Sequence, residues 1–396
     1  MFSRYKLAKK FILKLAPRLS IGNLDITFPE GDRHYFEGAQ KGPEGHIHIH
    51  TQAGLLQIIK KGKLGFCEAY MSGDVTSQNI VNLIEMAVLN NQFIEDKLRM
   101  SALSWFTTKI SHFRNRNSKT GSRRNIAYHY DLGNDFYELW LDKTMTYSSA
   151  VFEDENTPLS DAQITKYRRL AEMAEIKDGD HVLEIGCGWG GFAEFAARAY
   201  DIKLTCITIS QEQFDFACQR MAKHGLSERV DIQLIDYRDL KDGSFDKIIS
   251  IEMFEAVGMD FWPVYFNKLS SLLKPHGKAA LQVITIDDAE FDSYLATPDF
   301  IQKYIFPGGM LRSMQRLDSP IQDAGMKLAK THDYGLHYAK TLAYWREEFL
   351  NKWPTIQEKQ GFDKRFKNMW ELYLAYCEGG FKSGMIDVKQ MLLTRD

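Results

Sequence analysis

Apolar and polar positions alternate along this chain in two distinct regimes. Over the first twenty residues the spacing is helical: Tyr5, Ala8, Phe11, Ile12 and Leu15 gather on one side of a wheel, opposite Lys6, Lys10 and Lys14, with Arg4 and Arg18 blurring the pattern. Residues 21–72 mix short alternating runs such as "HIHIHT" with turn signals at Gly22, Gly31, Gly42-Pro43 and Gly45. "QNIVNLIEMAVLNNQFIEDKL" then returns to helical spacing. The stretch 107–125 is polar, basic and free of acids, so it reads as a linker between a domain at 1–115 and a domain at 116–396. Beyond it, apolar runs of strand length recur between helical segments: 181–185, 203–209, 230–236, 245–251, 278–286, and more weakly "KLAKTHDY" and "VKQMLLT". That order predicts an α/β fold, a doubly wound and mostly parallel sheet, joined to a smaller, mostly helical N-terminal domain. A ligand of such a sheet lies beyond the carboxyl ends of its strands.

Composition narrows the classes. The 396 residues are 44% hydrophobic and 26% charged with a net charge of −2, so any attraction to nucleic acid or an acidic surface must be local. Five scattered cysteines without a CxxC pair argue against disulfides or zinc and fit a reducing cytoplasm. His46, His48 and His50 share a strand face but have no local carboxylate or cysteine, so no metal is expected. No apolar run is long enough to span a membrane, and lysines interrupt any signal-peptide core in the first twenty residues. That basic, amphipathic start suits the surface of an anionic bilayer, each basic residue contributing about 1 kcal/mol. Peripheral contact with the inner face of the membrane is the expectation.

The chemistry begins at "VLEIGCGWGGFAEFA", 182–196. Gly186, Gly188 and Gly191 satisfy G-x-G-x-x-G, but the acid that a nicotinamide ribose wants at the end of the next strand is missing there. The acid instead precedes the loop, as Glu184. A carboxylate beside glycines that admit close backbone approach suits S-adenosylmethionine (SAM), whose amino-acid end carries an ammonium. Asp236, in "LIDYRDL", stands where an adenine-contacting acid or its neighbour is expected. Together these point to a class I SAM methyltransferase of Rossmann-like fold.

Longer stretches carry a resemblance. "IAYHYDLGNDFYELWLDKTMTYSSAVF" (126–152), "LEIGCGWGG", "TISQEQ", "SIEMFEAVG" (250–258), "YIFPGG", "HYAKTLAYW" and "GMIDVKQ" run in one order over the second domain. In this the chain resembles the cyclopropane-fatty-acyl-phospholipid synthases and mycolic acid cyclopropane synthases. The first domain is similar to that of the phospholipid-acting branch, which implies a homodimer. The resemblance implies methyl transfer from SAM to a cis double bond inside an acyl chain of membrane phospholipid, giving a carbocation. A bound bicarbonate ion then removes a proton and a cyclopropane ring closes. It implies Glu255, Tyr338, Gln282, Ser149 and the Ile284 backbone around that ion. For SAM it adds Tyr147, Ser148, Gly186, Gly188, Thr208, Ile209, Gln213, Tyr237 and Arg238. Aromatic faces can steady a cation, and Tyr130, Phe136, Tyr137, Phe254 and Tyr304 are the candidate wall of the acyl pocket.

Three positions depart from the family pattern: Ser149 replaces a cysteine, Ala256 a histidine, and Gln282 the histidine that contacts bicarbonate. Gln282 can donate a hydrogen bond but cannot become a cation. These changes keep a second outcome open, in which the proton leaves another carbon and the product is a methyl-branched or methylene chain. A small-molecule N-methyltransferase is the outside alternative. This chain lacks the "FEHVG" histidine that would help an amine substrate, having Ala256 there.

Overall fold

The computed structural model describes residues 2–91, 121, 132–241, 245–296 and 299–395. The chain divides into two compact units. One takes residues up to Phe113 with Tyr294–Lys303 and Leu342–Met385; the other takes Arg114–Ser293, Tyr304–Thr341 and Ile386–Asp396. The basic stretch 107–125 and Tyr130 lie outside the described residues, apart from Gly121.

In the first unit the helix Phe2–Leu15 buries Tyr5 and Ala8, while Phe11 is exposed and falls off the predicted apolar face. The Tyr5 hydroxyl donates to Glu30, and Lys9 reaches Asp32 at 2.8 Å. Strands β1 (Ile21–Thr27), β2 (Arg33–Glu37), β3 (Gln40–Ile49) and β4 (Val75–Thr76) form a sheet in the order β2-β1-β3-β4. Thr51 caps the helix Gln52–Ser72 by accepting from the Gly54 N–H, and Gly73 ends it in the left-handed conformation. Ile26, Phe28, Ile49, Leu55, Ala69 and Val75 share one core. The histidines of "HIHIH" are engaged locally: His46 contacts Asp25, His50 contacts Thr76, and the His48 ring packs on His50. Among the described residues no helix is long and apolar enough to cross a membrane.

The second unit is built on a seven-stranded sheet. Its strands are β5 (His181–Ile185), β6 (Lys203–Thr208), β7 (Val230–Leu234), β8 (Phe245–Ile251), β9 (Leu273–Ile286), β10 (Met326–Asp333) and β11 (Ile386–Arg395), ordered β10-β11-β9-β8-β5-β6-β7. The five strands from β9 to β7 are mutually parallel, and β11 inserts antiparallel between β9 and β10. The apolar runs are buried because helices pack on the sheet: Tyr167, Leu170, Ala171 and Ala174 of the helix Leu159–Ala174 join Val182, Leu204, Ile249 and Ala280 in one core. β9 starts at Leu273, earlier than the apolar run beginning at 278, and its pairing with β8 shifts register between Phe245 and Lys247. β5 has β6 on one side and β8 on the other, so the chain order reverses there. The carboxyl ends of these strands define the crevice.

Candidate active site

β5 delivers the glycine loop into that crevice. Gly186 has φ +81°, and a Cβ on it would lie 2.6 Å from the Met253 side chain. Only glycine meets both demands. The Gly186 and Cys187 N–H groups donate to the Ile207 carbonyl of β6, tying the loop to the neighbouring strand. Gly190 turns the chain into the helix Gly191–Ala199, with Gly188 also at positive φ. Glu184 is almost fully buried beneath this loop. Burial pushes its carboxyl up to about 8, partly offset by a hydrogen bond from the Cys206 thiol.

The neighbouring strand ends supply the rest of the pocket. After β6, Thr208 Oγ1 donates to Gln213 Oε1 at 2.9 Å and accepts from the Ser210 N–H, with Ile209 partly exposed between them. After β7, the Asp236 carboxylate caps a short turn at Tyr237–Asp239 and grips the Arg238 guanidinium through Nε (2.8 Å) and Nη2 (2.6 Å). The Asp236 carboxylate thus engages Arg238, while its neighbour Tyr237 is buried against Tyr265. Tyr147 packs against Tyr137 and Trp140. Ser148 Oγ accepts from Lys166 Nζ at 2.6 Å. Lys166 is completely buried, and burial pulls its ammonium down to about 7.

Two carboxylates stand on the turn after β8, in "EMFE". Glu255 Oε1 accepts from the Ile284 N–H (2.6 Å) and from Arg312 Nη1 (2.9 Å), and its Oε2 has no hydrogen-bond partner among the described residues. Arg312 is fully buried, donates also to the Phe254 and Met310 carbonyls, and covers the Phe254 ring. Glu252 Oε1 accepts from the Ser149 N–H and from Gln282 Nε2, both at 2.8 Å, and Oε2 accepts from the Tyr338 hydroxyl at 2.7 Å. Burial first, and the charge of Glu255 second, push the Glu252 carboxyl up to about 7 against the pull of Gln282, Tyr338 and Lys166. Glu252 lies deep in the site without being sealed over. Its φ is +50°, a left-handed conformation that costs a residue with a Cβ roughly 1–2 kcal/mol. Gln390 of β11, the cross-strand partner of Gln282, donates to Gln282 Oε1 and leaves the Gln282 amide hydrogens for Ser149 O and Glu252.

Of the residues anticipated around an anion, the structure gathers Ser149, Gln282 and Tyr338 about Glu252, and Ile284 about Glu255. Phe136, Tyr137 and Phe254 are buried in ring clusters, and Tyr304 is half-buried at the end of the helix Phe300–Tyr304. Sequence reasoning missed Glu252, Lys166, Arg312 and Gln390. The signal for Lys166 was present, since it sits four residues before the buried Leu170 on one helical face. The glycine cradle fits SAM. A free bicarbonate does not fit the residues that were to hold it, because their donors already serve the two carboxylates.

Comparison with known proteins agrees with this geometry. The mycolic acid cyclopropane synthetase family model matches residues 117–391. The chain is 41% identical over 362 residues to tuberculostearic acid methyltransferase UfaA1 of Mycobacterium tuberculosis, covering 88% of this chain and 83% of the relative. It is 36% identical over 345 residues to the cyclopropane-fatty-acyl-phospholipid synthase of Escherichia coli (86% and 85% covered). The structure of mycolic acid cyclopropane synthase CmaA1, complexed with SAH and CTAB, superposes with a TM-score of 0.65 at 28% identity, covering 69% of this chain and 98% of that one. The chain therefore belongs to the mycolic acid cyclopropane synthetase family and is an S-adenosylmethionine-dependent methyltransferase.

Proposed function

We propose that the protein methylates a cis double bond in the unsaturated acyl chains of membrane phospholipid and closes a cyclopropane ring. The observation that carries this reading is the paired-carboxylate turn Glu252–Glu255 beside the glycine cradle, in a chain of this family. SAM supplies an electrophilic methyl group. Glu184, under the loop, would take its ammonium, and Thr208, Gln213, Tyr237, Arg238, Tyr147 and Ser148 would hold the rest of it. An alkene is a weak nucleophile, so these contacts must hold the methyl carbon against the π bond in line for attack. The positive charge that then forms on the acyl chain is favoured by a buried, preorganised site rich in carboxylate. A proton must leave the chain next, and its origin sets the product. Loss from the added methyl closes the ring.

Loss from another carbon gives a methyl-branched or methylene chain instead. The 41% identity to a protein named a tuberculostearic acid methyltransferase favours this second reading. The contacts expected for bicarbonate are taken by Glu252 and Glu255. Exposed Leu7 and Phe11 on the basic first helix support delivery of the lipid from the cytoplasmic face of an anionic bilayer. The segment 287–318 is the candidate cover of the acyl chain.

The test is incubation with SAM and vesicles of monounsaturated phospholipid, followed by proton NMR of the recovered acyl chains. Upfield cyclopropane methylene protons are the expected result. A new methyl or methylene signal with retained or displaced vinyl protons establishes the second reading. Unaltered chains would sink both.

A further inference from the structure

The Ser149 N–H, Gln282 Nε2 and the Tyr338 hydroxyl converge on one point. Family resemblance gives that point to a bicarbonate ion. In this chain it is filled from within: the Glu252 carboxylate accepts all three bonds, at 2.8, 2.8 and 2.7 Å. The remaining expected contact, the Ile284 N–H, is held by Glu255 at 2.6 Å. A free anion arriving here would meet two carboxylates and find each of these donors engaged. Electrostatics and hydrogen-bond supply both oppose it.

The backbone adds an independent observation. Glu252 occupies a left-handed conformation that glycine adopts readily and a glutamate adopts at a cost. Strain of this kind persists where the surrounding structure over-determines it, and it clusters at functional sites. The position is also well aimed. The adjacent Met253 packs against Gly186 of the glycine loop, and Ser149 follows Ser148, which the family resemblance implies for SAM.

We propose that Glu252 is the enzyme's own base: its carboxylate stands in the anion's place and removes the proton that the methylated acyl chain must lose. The inference rests on the methyl-transfer reading above. In the first step a C–C bond forms between the donated methyl and an alkene carbon while the C–S bond breaks, leaving S-adenosylhomocysteine (SAH) and a cation on the chain. In the second, a C–H bond breaks. Its electron pair fills the cation, as a ring bond or a new double bond, and the proton passes to a Glu252 oxygen. The neutral acid then loses that proton to solvent. No oxidant or further reactant is needed, and the chemistry does not depend on dissolved carbonate.

Three preparations of the full-length protein test this: wild type, Glu252→Gln and Glu252→Gly. Glycine suits the backbone at this position, so Glu252→Gly keeps the fold, and SAH affinity by calorimetry checks that it does. Wild-type turnover should be the same in buffer stripped of carbon dioxide and in buffer with added bicarbonate. Glu252→Gln should lose about 100-fold or more, the usual scale for removing a general base. Glu252→Gly should be equally impaired and should recover with added bicarbonate or acetate, because it reopens the three donors; a merely structural role would give no such rescue. By carbon-13 NMR, labelled bicarbonate should bind Glu252→Gly with SAH present but not wild type. Bicarbonate binding by wild type, loss of its turnover on stripping, or near-normal turnover of Glu252→Gln overturns the inference. If wild type methylates no lipid, the proposed function has failed, while the NMR comparison still decides whether Glu252 fills the anion's place.

Discussion

Glu184→Gln tests how the glycine loop recognises its ligand. Burial pushes the Glu184 carboxyl up to about 8, so at about pH 7 roughly nine folded molecules in ten hold that proton before ligand arrives. The amino-acid end of SAM or SAH brings an ammonium, and a cation beside a carboxylate favours the ionised form. Binding at about pH 7 should therefore expel about 0.9 proton. The sign follows directly: the proton competes with the ligand, so lowering pH weakens binding, by about tenfold per unit below the apo value. Titration calorimetry with SAH in phosphate and in Tris measures this, since released protons make the two observed enthalpies differ by the buffers' ionisation heats. Glu184→Gln should bind more weakly, with enthalpies in the two buffers that differ by less than in wild type and an affinity that varies less with pH. Lys166 and Glu252 also titrate near neutrality, but they remain in the variant, so the difference isolates Glu184. Identical wild-type enthalpies in the two buffers, with affinity flat over that range, would refute the assignment.

Two further outcomes follow from packing. Arg312→Leu strands the Glu255 carboxylate with one backbone donor and should cost about 3–5 kcal/mol, the usual penalty for breaking a buried ion pair. Urea unfolding followed by circular dichroism reads it, and a loss below about 1 kcal/mol would show the pair to be well solvated. Gly186→Ala combines a positive φ with a clash against Met253, whereas Gly179→Ala has positive φ and open space. Gly179→Ala should cost roughly 1–2 kcal/mol of stability, while Gly186→Ala should cost more and weaken SAH binding at least about tenfold. Equal effects at the two sites would rule out the close approach.

Much of the second unit was legible in the sequence because buried parallel strands leave continuous apolar runs. "HVLEI" and "FDKIISI" coincide with β5 and β8. β10 left only a weak signal, since most of that edge strand is exposed. The cofactor loop was legible because glycine is required locally. The paired carboxylates were only half legible. Glu255 stood out by family resemblance, but Glu252 in the same motif looked ordinary, because its three donors come from residues 86 to 103 positions away, or 30 in the case of Gln282. Gln390 and Arg312 were invisible for the same reason. One depends on the antiparallel register of β11 against β9, the other on a segment without periodicity.

The environments of the two carboxylates divide their labour. Glu255 faces a guanidinium and a backbone N–H, partners that hold a fixed anion in place. Glu252 is hydrogen-bonded by an amide, a backbone N–H and a hydroxyl, all neutral, and feels the negative charge of Glu255 more strongly than the positive charge of Lys166. Neutral donors orient a carboxylate without making it as reluctant to accept a proton as an ion pair would. A base that must take a proton in each turnover and then give it up is best placed in such surroundings, with its proton affinity near neutrality. Gln282 fits the same logic. A histidine there could become a cation and hold Glu252 in its ionised form, whereas an amide pinned by Gln390 orients the carboxylate and leaves its basicity intact. The substitution that seemed to weaken an anion site thus makes chemical sense once the anion is part of the chain.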